Sequence, residues 1–205
     1  MDFNSSIKRI CVFGDSIAWG ACDYEKGGWV ERLKMGLLEN TDIDVYNMGV
    51  SGDSTIELLK RFKTELELMK PEVVVVAIGI NDTKYMDETK TCKVNLEDFR
   101  KNIFTLIEIA KEFNDKMIFI GLTSVDETKT MPRIHEGKTK FYENELIKKY
   151  DSVLSEVCDT NGIKFVSVFN QLKISDLEDG LHPNSQGHQI ILSKVRMEIE
   201  AFLKN

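Results

Sequence analysis

No stretch of this sequence approaches the roughly 18 apolar residues a membrane-crossing helix needs. Its longest apolar run is Val73–Ile78, so no membrane span is expected. Met1–Ser6 lack the basic segment and apolar run of a secretion signal, and a soluble, cytoplasmic chain is therefore expected. Cysteine is scattered: Cys11, Cys22, Cys92 and Cys158 form no CxxC and no zinc-ligand spacing, and in a reducing compartment they read as free thiols. Basic residues are outnumbered, with 27 Lys and Arg against 34 Asp and Glu and a formal net charge of -7. That balance is poor for phosphate neutralisation, so no nucleic-acid partner is expected. No repeat, low-complexity tract or Pro- or Gly-rich linker interrupts the chain, and residues 1–205 are read as a single domain.

What the chain does have is alternation. Short β-branched or aromatic runs, Ile7–Phe13, Ile43–Met48, Glu72–Ile78, Lys116–Leu122 and Ile163–Val168, alternate with segments of helical periodicity, which is the pattern of βαβ units around a parallel sheet. Val73–Ile78 is apolar at every position, as a central strand covered on both faces must be. Between strands, Leu96, Phe99, Ile103, Leu106, Ile107, Ala110 and Phe113 recur at steps that gather them on one helical stripe. Leu146, Tyr150, Val153, Leu154 and Val157 do the same, as do Ile191, Val195, Ile199 and Phe202 in a last helix expected just after His182-Pro183. Met35, Leu37, Leu38 and Met69 read as core filling within such stripes. The stretch Thr123–Lys138 is long for a structureless loop and suits a wall or lid.

In a parallel α/β sheet, ligands gather beyond the carboxyl ends of the strands. After the first strand comes Gly14-Asp15-Ser16, and after the second Asn47–Asp53 with Gly52. Gly79-Ile80-Asn81-Asp82 follows the third, and Asp179-Gly180-Leu181-His182 follows the fifth. These loops supply the parts of an acyl-transfer site: a hydroxyl nucleophile, an imidazole base, a carboxylate to orient it and donors for an oxyanion. A serine hydroxyl is scarcely ionised at neutral pH, so Ser16 would need His182 to take its proton. Asp179, three residues before His182, falls on the same side of a turn and can hold one imidazole nitrogen. The oxyanion donors are assigned to the backbone N–H groups of Ser16 and Gly52 and to the Asn81 amide.

These blocks resemble those of the SGNH hydrolases, the GDSL-type esterases, and do so from Phe13 to Pro183. The family's GDS reads Gly14-Asp15-Ser16, its donor glycine is Gly52, its GxND is Gly79–Asp82 and its DxxH is Asp179–His182. The first block departs from the family in continuing Ile17-Ala18-Trp19-Gly20. The resemblance implies a three-layer α/β/α sandwich with a five-stranded parallel sheet in the flavodoxin-like order 2-1-3-4-5. It further implies hydrolysis of small carboxylic esters or thioesters through an acyl-serine intermediate, with no metal and no cofactor.

Other readings are weaker. No GxSxG elbow is present for an α/β-hydrolase, and Gly14–Gly20 is neither a P-loop nor a GxGxxG. The alternative from a different class is a non-catalytic module that binds an acylated ligand on the same scaffold. Asp15 and Asp82 are expected to fix loops through backbone hydrogen bonds. His135 is expected in solvent and His188 in a structural role. Trp19 reads equally well as a pocket wall or as an aromatic packed on the sheet edge.

Overall fold

The computed structural model describes residues 8–37 and 42–204; Ile7 and Leu38 lie outside the described residues. The chain runs β1 (Lys8–Gly14), α1 (Ser16–Trp19), α2 (Gly28–Leu37), β2 (Ile43–Gly49), α3 (Thr55–Met69), β3 (Val73–Ala77), α4 (Leu96–Lys111) and β4 (Met117–Ile120). It continues through α5 (Glu127–Thr130), β5 (Arg133–His135), β6 (Lys138–Lys140), α6 (Asn144–Thr160), β7 (Lys164–Val166) and α7 (Ser185–Lys204). Five strands form one parallel sheet in the order β2-β1-β3-β4-β7, which is 2-1-3-4-5 once β5 and β6 are set aside.

The sequence explains the layers. Ile10–Phe13 and Val73–Val76 are almost wholly buried because β1 and β3 have strands on both edges and helices on both faces. The right-handed crossover from β1 to β2 places α2 on one face, and the oppositely directed crossovers through α3, α4 and α6 place those helices on the other. Helix α7 returns to pack on α2. Phe62 of α3 meets Phe13 of β1 edge-on at 4.7 Å, and Phe99 of α4 packs against Tyr150 of α6 at 4.9 Å. One continuous apolar core joins all these elements, from Ile10 to Ile199.

Three expectations need correction. Met35 is 65% exposed, because the buried stripe of α2 runs through Trp29, Val30, Leu33 and Leu37 and passes it by. Leu96 opens α4 at the solvent-facing end of its stripe and is exposed. The stretch Thr123–Lys138 is not irregular: it holds α5 and an antiparallel β5–β6 hairpin. Glu136 and Gly137 form that hairpin's two-residue turn, both at positive φ (50 and 71), as the mirror-image turn of a tight hairpin requires. Helix α7 starts at Ser185, two residues later than Pro183, where Asn184 accepts hydrogen bonds from Gln186 and Gly187 N–H.

Candidate active site

Strand β1 delivers Ser16. The strand ends on Gly14, where an added Cβ would lie 2.4 Å from the Ala77 carbonyl oxygen, so only glycine lets β1 and β3 close together here. Asp15 then caps the short helix α1, accepting the Ile17 N–H at 2.9 Å. Burial pushes the Asp15 carboxyl from 3.8 up to about 6. Ser16, the first residue of α1, is 6% exposed.

The loop after β7 delivers His182. Asp179 Oδ1 accepts the Leu181 and His182 N–H groups at 3.0 and 2.8 Å, which closes a tight turn and sets the carboxylate beside the imidazole. Asp179 Oδ2 lies 2.9 Å from His182 Nδ1. A carboxylate only accepts, so Nδ1 carries the hydrogen and Nε2 of the neutral ring is left as an acceptor. That Nε2 is 2.9 Å from Ser16 Oγ, across 166 positions of sequence. Burial alone would push the Asp179 carboxyl up, but hydrogen bonds from the His182 ring and backbone overcome it and hold the carboxyl well below its usual range. Asp179 is therefore a carboxylate at neutral pH.

The second and third loops meet Ser16 from the other side. Val50 N–H donates to the Gly14 carbonyl at 3.0 Å, tying the β2 loop to the β1 loop. Gly52 occupies the third place of a turn closed by Asp53 N–H to Val50 O at 3.1 Å, and its φ of 87 is the value a type II turn demands there. The Asn81 amide donates to the Asp53 carbonyl at 3.0 Å, which joins the third loop to the second and leaves its other amide hydrogen without a partner among the described residues. Asp82 does not face the site. It is fully buried and accepts both the backbone and the hydroxyl of Thr55, fixing the start of α3, and burial raises it to about 7. Asp53 pairs with Arg61 at 3.0 Å.

Two residues that the sequence did not mark also reach this cluster. The Tyr142 hydroxyl donates to Asn81 Oδ1 at 3.1 Å, and burial keeps the phenol protonated. Arg133, on β5, donates to Asp179 Oδ2 at 2.7 Å. Neither side chain carries a local signal, since each finds its partner only through the excursion between β4 and α6. The remaining candidates fall outside. His135 is exposed. His188 is buried, donates from Nε2 to the Ala21 carbonyl at 3.0 Å and accepts Trp29 N–H at Nδ1. Trp19 is 59% exposed rather than packed on the sheet edge. Cys22 Sγ, Asp179 and His182 offer three donor atoms within 4.8 Å of one another. As a cation site this set fits poorly, because Asp179 Oδ2 is already shared by the His182 ring and the positively charged Arg133.

A family model described as GDSL-like Lipase/Acylhydrolase matches residues 12–190. The human isoamyl acetate-hydrolyzing esterase 1 homolog is 26% identical, the match covering 94% of this chain and 81% of that protein. The acetylxylan esterase of Geobacillus stearothermophilus is 22% identical, with 94% of each chain covered. The crystal structure of the lipase/acylhydrolase from Enterococcus faecalis superimposes with a TM-score of 0.77 at 25% identity, covering 95% of this chain and 96% of that one. With the fold, the ordered loops and a match over most of its length in agreement, the chain belongs to the GDSL-like lipase/acylhydrolase family.

Proposed function

We propose that this chain hydrolyses small carboxylic esters or thioesters through an acyl-Ser16 intermediate. The observation that carries the reading is a pair of 2.9 Å contacts made by one imidazole, Ser16 Oγ with His182 Nε2 and Asp179 Oδ2 with His182 Nδ1. Ser16 Oγ attacks the substrate carbonyl carbon while its proton passes to His182 Nε2. Ionised Asp179 stabilises the imidazolium so formed. Negative charge moves to the carbonyl oxygen, where the Ser16 and Gly52 N–H groups and the free Asn81 amide hydrogen are the donors. Collapse breaks the bond to the leaving oxygen or sulfur, which takes the proton from His182, and acyl-Ser16 remains. Water then attacks with His182 as base, releasing the acid and restoring the serine hydroxyl.

Acetyl esters are the proposed first substrates, because the names of two relatives, an isoamyl acetate-hydrolyzing esterase homolog and an acetylxylan esterase, both specify acetyl groups. No described helix is long and apolar enough to cross a membrane. Four free cysteines, two of them buried, support a cytoplasmic site of action, and the continuous core supports one hydrolase domain over the whole chain. The test is turnover of a chromogenic short-chain acyl ester by the wild type and by Ser16→Ala. The variant is expected to lose a factor on the order of 10⁴ or more in kcat. An equal rate in the two proteins overturns the nucleophile, and a wild type that binds but never turns over any ester favours the acyl-binding module instead.

A further inference from the structure

The hairpin that carries Arg133 faces solvent for most of its length. Ile134 is 73% exposed, and His135, Lys138 and Thr139 are exposed as well. Arg133 runs against this trend: its side chain is 13% exposed and reaches inward to Asp179. One guanidinium nitrogen lies 2.7 Å from Asp179 Oδ2 and the other 3.4 Å from the Asp179 carbonyl oxygen.

The oxygen it binds is the one that holds the imidazole. Asp179 Oδ2 therefore accepts from His182 Nδ1 on one side and from Arg133 on the other, while Oδ1 accepts two backbone N–H groups. The turn itself is already closed by those backbone bonds, so the arginine is not needed to form it. Its effects fall on the Asp179–His182 pair. It pins Oδ2 in one position, which fixes the plane and tilt of the ring whose other nitrogen faces Ser16. It also sets a positive charge beside the carboxylate that faces the ring, opposing the charge an imidazolium would carry.

Several other charged or titratable groups surround the imidazole. Buried Asp15 faces it from the β1 loop, and buried His188 from α7. Glu178 and the Cys22 thiol stand on the Asp179 side, Cys22 at 4.0 Å from Oδ2. Arg133 alone among the described residues sets a permanent positive charge directly on the carboxylate that orients the ring.

We propose that Arg133 is a positioning residue for the Asp179–His182 pair, holding the carboxylate in place and setting a fixed positive charge against the protonated ring. The proposal rests on the reading of His182 as general base. Two variants test it. Arg133→Gln removes the charge, and Arg133→Lys keeps the charge but loses the two-pronged grip. In Arg133→Gln, kcat is expected to fall about 10- to 100-fold. The acid limb of kcat/KM is expected to move to higher pH by about one unit, since the imidazolium loses a repelling neighbour. Arg133→Lys is expected to keep the wild-type acid limb while kcat falls by a smaller factor.

Titration of the His182 ring by NMR gives the same readout without turnover. It decides the role of Arg133 even where no ester is hydrolysed, whereas a silent assay in the wild type counts only against the acyl-Ser16 reading. A His182 ring that titrates at the wild-type pH in Arg133→Gln overturns the proposal. Should Gln at this position prevent folding, an Arg133→Lys enzyme with unchanged kcat overturns it equally.

Discussion

Tyr142 and Asn81 are joined across 61 positions by a 3.1 Å hydrogen bond in which the phenol donates and the amide oxygen accepts. The bond decides which way the amide faces. With Oδ1 held by Tyr142 and one Nδ2 hydrogen held by the Asp53 carbonyl, the second Nδ2 hydrogen has a single direction left.

Tyr142→Phe keeps the buried ring and removes only this donor. Loss of one such hydrogen bond is worth about 1 kcal/mol, enough to let the amide sample its flipped state, and kcat is expected to fall roughly 5- to 10-fold with KM nearly unchanged. Asn81→Ala, which removes the proposed oxyanion donor itself, is expected to cost more, about 10²–10³ in kcat. Steady-state kinetics on one ester decide the order. A Tyr142→Phe enzyme with wild-type kcat would mean that the amide is fixed without the phenol.

How far such contacts can be read from sequence depends on how local they are. The Asp179–His182 geometry follows from a three-residue spacing within one turn, and Val73–Ala77 announces a buried central strand by composition alone. Tyr142 and Arg133 offer nothing comparable. Each meets its partner, 61 and 46 positions away, only because α5 and the hairpin fold back over the strand ends. The hairpin itself is hidden because its turn is Glu136-Gly137 rather than the Asn-Gly or Asp-Gly that usually marks one. Met35 misleads for the opposite reason: it is apolar but two residues from both Leu33 and Leu37, on the face of α2 that looks to solvent.

Asp82 makes stability depend on pH in a direction that can be measured. Burial raises its carboxyl from 3.8 to about 7, so between those values the folded protein holds a proton that the unfolded chain has released. Its contribution is therefore most favourable below about pH 4 and declines as pH rises towards 7. Asp82→Asn cannot ionise, so the difference in Tm between variant and wild type should shift in favour of the variant as pH is raised from about 4 to 7.5. Other titrating groups cancel in that difference. Thermal unfolding at a series of pH values supplies it, and a gap that stays constant across the range would show that Asp82 is ionised throughout.

Gly52 separates backbone strain from steric crowding. A Cβ built on it meets nothing within 4 Å, so the space around it is open, yet its φ of 87 lies in the left-handed region that a side chain resists. Gly52→Ala should therefore lower stability by only about 1 kcal/mol. Activity should suffer more, because the turn can relieve its strain by rotating the 51–52 peptide, and that rotation swings the Gly52 N–H, a proposed oxyanion donor, out of its place. The expected loss in kcat is about 10²-fold, the value of one such donor. Asn tolerates positive φ better than Ala, so Gly52→Asn should recover part of the loss despite its larger side chain. Chemical denaturation and kcat measured on both variants check the argument. If Ala and Asn lose activity in proportion to their size, crowding by substrate rather than peptide orientation governs this position.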